Sequence, residues 1–518
     1  MMKQIFVSLA FCFALMHDAA GQTATGVCGT SPEAQLLSMD RLKENLAKAD
    51  NGPAVADRSA VQYIPVHFHL VGDASGNGKH KESSILDQLC DMNEAYAPME
   101  IRFYLSPHPT YGLFDYSINS NTVYAGQTNT FLMSNRRHNN ALNIYVVNQA
   151  FDSDNVLAYY SPQNDWVVSR KDQVNGTYNG TLPHEVGHFF SLMHTFFGYE
   201  DNSFGPGSAG WPVAPVTAPY HPNGLSILTE RQNGTNCSAA ADQICDTPPD
   251  YNFGLLQSGC GTYVAGAKDP LGTPVDPSES NFMGYFSNCG ANYHFTPMQQ
   301  AAILSDLTSP LRNYLDNNFT PIATSITTPS DLLMGPADAD TTEYYDEVLL
   351  DWKPVAGANM YLLEIDLNGF YNSPQRQAFI LTGTSKLVTN LVKNKKYFWR
   401  VRPFNEYVTC ADSKEKTFRT SGTSSTTDIR ELDKWTVAPN PASGNADVRL
   451  LINATSNFDA GVRVLDATGR EVFRMGSQSI PAGETVLELP VNGLAEGLYF
   501  VVLQSGGGSA VRKLTIAR

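Results

Sequence analysis

His184-Glu185-Val186-Gly187-His188-Phe189-Phe190-Ser191-Leu192-Met193-His194 gathers three histidines and a glutamate into eleven residues. On a helix, positions i and i+4 share a face, so His184 and His188 can aim a ring nitrogen at one point. Glu185 lies one step round, badly placed as a third ligand in that plane but within reach of a metal-bound water. Phe189, Phe190 and Leu192 supply a separate apolar face for the core. His194 follows His188 by six positions, so the helix has to end for the third ring to return. Three neutral imidazoles with one open position suit a catalytic Zn²⁺, whereas a structural zinc takes four protein ligands and no fourth is spaced nearby. The expected chemistry is hydrolysis, with the water made acidic by zinc and Glu185 as the general base that hands the proton on to the leaving group.

Outward from this stretch the pattern alternates. Tyr63–Leu70 reads as a strand with His67 and His69 on one face and Val66, Phe68 and Leu70 on the other. Residues 84–96 read as a helix through the stripe Ile85, Leu89, Met92 and Tyr96. Met99–Leu105, Ala141–Val147, Leu157–Ser161 and Asp165–Ser169 read as further strands, the last two directly before the histidine-rich helix. Strands and helices in alternation define an α/β (α+β) domain, placed at residues 58–320. Residues 196–295 are rich in Gly, Pro, Asn and Asp and read as loops. Thr296-Pro297-Met298-Gln299 then carries a capping box with Pro at the first helical position, opening a helix expected to reach about Tyr314.

The chain has 518 residues with 42% hydrophobic content and a formal charge of −16. That length implies several domains. The charge, without any basic run, excludes nucleic acid and anionic membranes as expected partners. Lys3, the apolar run Ile5–Met16 and the small residues Ala19-Ala20-Gly21 read as a secretory signal over residues 1–21. The run is too short to span a bilayer, which takes about 20 residues, and no longer one exists. The protein is therefore expected outside the cell, where disulfides persist. Residues 22–57 are polar with one helical stretch, roughly Ser31–Ala49, and read as a pro-segment. Beyond Cys12 in the signal, seven cysteines remain, so at least one thiol is free or has another role; Cys90 is expected as a small core residue, and Cys410 as structural or free.

Residues 326–419 turn to all-β character, with Leu349–Lys353, Tyr361–Ile365 and Tyr397–Val401 at sandwich spacing. Trp352 as an early inner residue, and Leu391 with Tyr397 as a tyrosine corner, resemble a fibronectin type III domain. A Ser/Thr linker, Thr420–Thr427, follows. Residues 431–518 form a second short-stranded β unit. Val437-Ala438-Pro439-Asn440-Pro441, Asp466-Ala467-Thr468-Gly469-Arg470, Gly493–Tyr499 and the terminal Lys513-Leu514 resemble the C-terminal sorting domain of type IX secretion cargo. That resemblance implies export by the type IX machinery and release or attachment at the cell surface. Two C-terminal all-β sandwich domains are thus expected behind the zinc domain.

The HExxHxxxxxH stretch followed by Asn281-Phe282-Met283-Gly284-Tyr285 resembles a metzincin of the pappalysin (cytophagalysin) type, over about residues 58–316. Cys245-Asp246-Thr247-Pro248, and Cys289 with Phe295–Gln299, support it. The resemblance implies a zinc metalloendopeptidase acting on proteins or peptides. Met283 becomes the residue packing beneath the histidines, and Tyr285 a hydrogen-bond donor to the oxyanion, or else a packing residue. Substrate is implied to lie extended along the strand near Leu157–Ser161. The family usually has Gly where Ser191 stands, and a Ser held at positive φ costs on the order of 1 kcal/mol. Phe286-Ser287-Asn288 lacks the acidic residue that in some relatives selects basic side chains, so no Arg preference follows. Cys28-Gly29-Thr30 resembles the family motif whose thiolate fills the open zinc position in a zymogen; the alternatives are pairing with Cys90 or a free thiol. The resemblance further implies a Cys260–Cys289 disulfide, with Cys237–Cys245 a second candidate, although sequence leaves connectivity open. It also implies a Ca²⁺ site using Asp242, Thr247 and the Ile244 carbonyl. The competing functional reading is a surface-binding or adhesion protein with an inert zinc domain, against which the intact Glu185 stands.

Overall fold

The computed structural model describes residues 27–51, 61–151, 155–177, 180–200, 213–255, 259–263, 266–316, 319–423, 429–443, 447–505 and 508–517. The expected signal (1–21), residues 22–26 and 52–57 of the expected pro-segment, and residues 424–427 of the linker lie outside them. The chain divides into two compact units, residues 1–323 with 406–410, and residues 324–405 with 411–518.

The first unit is built on a sheet of β1 (Val27–Cys28), β2 (Gln62–Leu70), β3 (Ile101–Leu105), β4 (Phe114–Asp115), β5 (Leu142–Val147), β6 (Val156–Ser161) and β7 (Trp166–Arg170). Its order is β1-β6-β7-β5-β2-β3, with β4 beside β2. Only the β6–β7 hairpin is antiparallel. Strand β5 is buried at every residue, as a parallel strand covered on both faces should be. The edge of β6, the expected substrate strand, is taken by β1, and the Gly29 N–H extends this pairing to the Ala158 carbonyl at 2.7 Å. His67 and His69 share a side of β2 as expected. His69 Nδ1 lies 2.9 Å from an Asp115 carboxylate oxygen, and the His67 ring sits 5.7 Å from His108 and 5.5 Å from His138.

The helices are α1 (Pro32–Asn51), α2 (Glu82–Ala95), two short turns α3 (Asn121–Tyr124) and α4 (Thr130–Ser134), α5 (Thr181–Phe189) and α6 (Pro297–Leu307). Helix α5 packs on β6 and β7, and α1 packs on α6. The capping box opening α6 is present, with Thr296 N–H donating to the Gln299 side chain at 2.9 Å. The helix ends at Leu307, short of the expected Tyr314, because Pro310 cannot continue it; Pro310–Leu315 tightens into a 3₁₀ turn.

Among the described residues three disulfides form: Cys237–Cys245, Cys260–Cys289 and Cys90–Cys410. The last corrects the expectation of Cys90 as an unpaired core residue. Segment Glu406–Cys410 belongs to the first unit, where the Glu406 carbonyl accepts from Leu105 N–H at 2.7 Å and the Thr409 hydroxyl donates to the Leu86 carbonyl at 2.8 Å. Among the described residues Cys28 alone is a free thiol.

The second unit holds two sandwich cores. In the first, a three-stranded sheet contributes Val348, Leu350 and Trp352, and a five-stranded sheet contributes Leu363, Tyr397, Trp399 and Val401. The Val392 N–H donates to the Tyr397 hydroxyl at 2.9 Å, the corner expected there. In the second, Trp435, Leu450 and Ile452 face Val462, Val464, Val501 and Leu514 across another three-plus-five pair of sheets.

Candidate active site

Helix α5 is nine residues long and enters through Gly180 at φ 77°. A Cβ on Gly180 would approach the Tyr293 ring to 2.9 Å, so glycine is required there on both counts. The helix stops after Phe189, and Ser191 takes the turn at φ 71°, as anticipated for a residue standing in the place of glycine. The Leu192 N–H then donates back to the Gly187 carbonyl at 3.0 Å, and the reversed chain delivers His194 to the two helical histidines.

The three rings converge. His188 Nε2 and His194 Nε2 are 3.1 Å apart, and Cys28 Sγ is 3.6 Å from His188 Nε2. One ligand atom from each of Cys28, His184, His188 and His194 lies within 4.8 Å of all the others. His184 Nδ1 donates to the Phe282 carbonyl at 2.6 Å and His188 Nδ1 to the Leu192 carbonyl at 2.8 Å. Those bonds put the proton on Nδ1 and leave each Nε2 lone pair facing the cluster, the tautomer a metal needs. His184 Nε2 and Glu185 Oε1 are buried with no hydrogen-bond partner. Such orphans cost about 1–3 kcal/mol apiece unless something binds them, and a cation among these donors is what the set fits.

Burial depresses His184 to about pKa 4 and His188 and His194 well below the usual range, the latter two also through neighbouring imidazoles. Neutral imidazole is the ligand form. Burial lifts Glu185 to about 7 and the Cys28 thiol well up, the thiol also through the Glu185 charge. A bound cation opposes both rises. Met283 lies beneath the helix: a Cβ on Gly187 would come within 2.5 Å of its sulfur. The Tyr285 ring sits 5.1 Å from His194, and its hydroxyl donates to the Cys28 carbonyl at 3.3 Å.

Residues 30–45 add contacts to the site, those of Gln35, Arg41 and Asn45 without a signal in the sequence. Thr30 Oγ1 donates to Glu185 Oε2 at 3.0 Å. The buried face of α1 is Gln35, Ser38, Met39, Leu42 and Asn45, mostly polar. Gln35 accepts from the His194 N–H at 2.9 Å, Arg41 donates to the Phe189 carbonyl at 3.0 Å, and Asn45 donates to Ser191 Oγ at 3.1 Å.

Asp242, Ile244 and Thr247 form a second, separate cluster: Thr247 Oγ1 lies 3.0 Å from Asp242 Oδ2 and 2.7 Å from the Ile244 carbonyl. Burial raises Asp242, and Glu230 is raised by burial and by the Asp242 charge. Glu230, with Oε2 unpartnered, was missed in the sequence because it lies twelve positions upstream of Asp242 without a motif.

A mostly parallel sheet domain that gathers three buried imidazoles, a half-buried thiol and an unpaired carboxylate oxygen is built as a metal site. An extracellular metalloprotease of Colletotrichum graminicola is 33% identical over 208 residues, which is 35% of this chain and 70% of that protein. One from Sordaria macrospora is 28% identical over 307 residues, 55% of this chain and 88% of its own. The chain belongs to this family of extracellular metalloproteases. Residues 436–517 match the secretion system C-terminal sorting domain, so the protein is secreted or held at the cell surface. Among the described residues no helix is long and apolar enough to cross a membrane. Among solved structures, Tannerella forsythia mature mirolysin in complex with a cleaved peptide is 20% identical, covering 50% of this chain and 97% of its own, with a TM-score of 0.33, too slight a likeness to argue from.

Proposed function

We propose that this chain is a zinc metalloendopeptidase of the pappalysin type, held latent by residues 22–57. The observation carrying this reading is the convergence of His184, His188, His194 and Cys28 beside the unpartnered oxygen of Glu185. Zn²⁺ bound there supplies an acidified water and a Lewis acid for the scissile carbonyl. Glu185, one helical step from two ligands, takes the proton of the attacking water and returns it to the leaving amine. Its burial favours a proton-accepting group poised near neutrality. The Tyr285 hydroxyl, once the Cys28 carbonyl withdraws, is a donor for the oxyanion. The β6 edge, freed of β1, offers backbone groups to an extended peptide.

Latency rests on three contacts: Cys28 at the open metal position, Thr30 on the general base and β1 on the substrate strand. Asp242, Thr247, the Ile244 carbonyl and Glu230 are an all-oxygen set suited to a structural Ca²⁺. The sandwich at residues 326–419 is of fibronectin type III kind, and the tail is an address for the type IX machinery.

The test is Glu185→Ala. It is expected to retain zinc while losing nearly all chelator-sensitive casein cleavage; retained turnover contradicts the assignment of the base.

A further inference from the structure

The three histidines differ in what holds the far side of the ring. His184 and His188 each give the Nδ1 proton to a backbone carbonyl, at 2.6 and 2.8 Å. Among the described residues His194 has no such carbonyl. Among the described residues two polar side chains approach its Nδ1: Gln35 Nε2 at 3.0 Å and Glu200 Oε1 at 3.6 Å.

The Gln35 amide is fixed in orientation by two backbone groups. Its oxygen accepts from the His194 N–H at 2.9 Å and its nitrogen donates to the Thr30 carbonyl at 3.1 Å. The side it turns to His194 Nδ1 is therefore a donor. His194 Nε2 points into the cluster, 3.1 Å from His188 Nε2. An imidazole that ligates a metal through Nε2 carries its proton on Nδ1. Two donors then face each other, and the Nδ1 proton requires another acceptor. Glu200 supplies it. Its Oε2 is anchored by the Gly198 N–H at 2.8 Å, while Oε1, the oxygen nearest His194, is buried beside the Gln35 amide and, among the described residues, makes no hydrogen bond of good geometry.

We propose that Glu200 is a positioning residue for the third metal ligand, accepting the Nδ1–H of His194 and so fixing its tautomer and ring orientation. It touches neither substrate nor reacting atoms. It acts through His194, replacing for that ring the backbone carbonyls that serve the other two. The two atoms stand 3.6 Å apart in the metal-free chain, and the bond forms as they close to hydrogen-bond range. The sequence did not signal this role, since Glu200 follows a run of aromatic residues with no motif of its own.

The inference rests on the reading of His194 as a zinc ligand, and the experiment separates the two. The full chain is stripped of metal and titrated with Zn²⁺ against a competing chelator, for wild type, Glu200→Leu, Glu200→Gln and His194→Ala. Glu200→Leu keeps the volume but removes the acceptor. It is expected to weaken zinc binding about 10–100-fold, the usual cost of losing such a partner, while the metal-free chain unfolds at the wild-type midpoint. Glu200→Gln retains a weaker, uncharged acceptor and is expected to fall between the two. Zinc binding by Glu200→Leu within twofold of wild type overturns the role of Glu200 if His194→Ala binds weakly. Unweakened binding by His194→Ala overturns the zinc reading itself. Should Glu200→Leu fail to fold, Glu200→Gln decides: a several-fold loss supports the role and an unchanged affinity ends it.

Discussion

Removing Arg41 should loosen the pro-segment without unsettling the domain beneath it. Arg41 Nε lies 2.9 Å from an oxygen of the fully buried Asp306, and its guanidinium donates to the Phe189 carbonyl at 3.0 Å. Breaking a buried ion pair usually costs about 3–5 kcal/mol because a charge is stranded. Here it is not stranded: Arg312 Nε stays 2.9 Å from the other Asp306 oxygen, Asn45 donates to Asp306 at 2.9 Å, and Arg312 also reaches the Phe189 carbonyl. What Arg41→Ala loses is a partly exposed ion pair and one charged hydrogen bond, together about 2 kcal/mol. At about 1.4 kcal/mol per tenfold, that is roughly 30-fold in the population of chains with α1 undocked. Native-state hydrogen exchange reads this directly, in a Glu185→Ala background so that no self-cleavage intervenes. Amides of α1 are expected to exchange about 30-fold faster while those of α2 hold their rate. Unchanged α1 exchange, or equal acceleration in both helices, refutes the picture of α1 as a separately held latch.

The buried imidazole of His67 makes the domain acid-sensitive. Burial, with the nearby His69, holds His67 down at about 3. The unfolded chain therefore binds the extra proton between about pH 6.5 and 3, and stability falls as pH drops through that window, by about 2 kcal/mol at pH 5. Urea midpoints at pH 7.5 and pH 5 should show the loss, and His67→Gln should reduce the difference; an equal difference in both proteins contradicts it. Calcium should stabilise the loop domain. Burial raises the proton affinity of both Glu230 and Asp242, and the Asp242 charge raises that of Glu230 further; saturation at a hundred times Kd contributes about 2.7 kcal/mol. Calcium chelation is expected to lower the melting temperature of wild type and to leave Asp242→Asn unmoved, and equal sensitivity of the two would argue against a site there.

The catalytic helix was legible because its chemistry is local. The i, i+4 spacing of His184 and His188 and the six-residue step to His194 carry the geometry within eleven residues of chain. Ser191 was legible through the family resemblance, which has Gly at that position, and the positive φ falls there. The capping box at Thr296 is local too. What stayed hidden depends on distant chain. Cys90 and Cys410 are 320 positions apart, and nothing in either neighbourhood names the other. Gln35, Arg41 and Asn45 look like ordinary polar helix residues until α1 docks. Glu200 becomes meaningful only through the tautomer of His194, which no sequence pattern encodes.

The central claim is that three imidazole nitrogens and the Cys28 sulfur enclose one zinc in the latent chain. X-ray absorption at the zinc edge on the full chain tests it most directly. One zinc per chain is expected, with three nitrogens at about 2.0–2.1 Å and one sulfur at about 2.3 Å, the sulfur lost in Cys28→Ala. A zinc without sulfur in the wild-type chain, or one with fewer than three imidazoles, would contradict it.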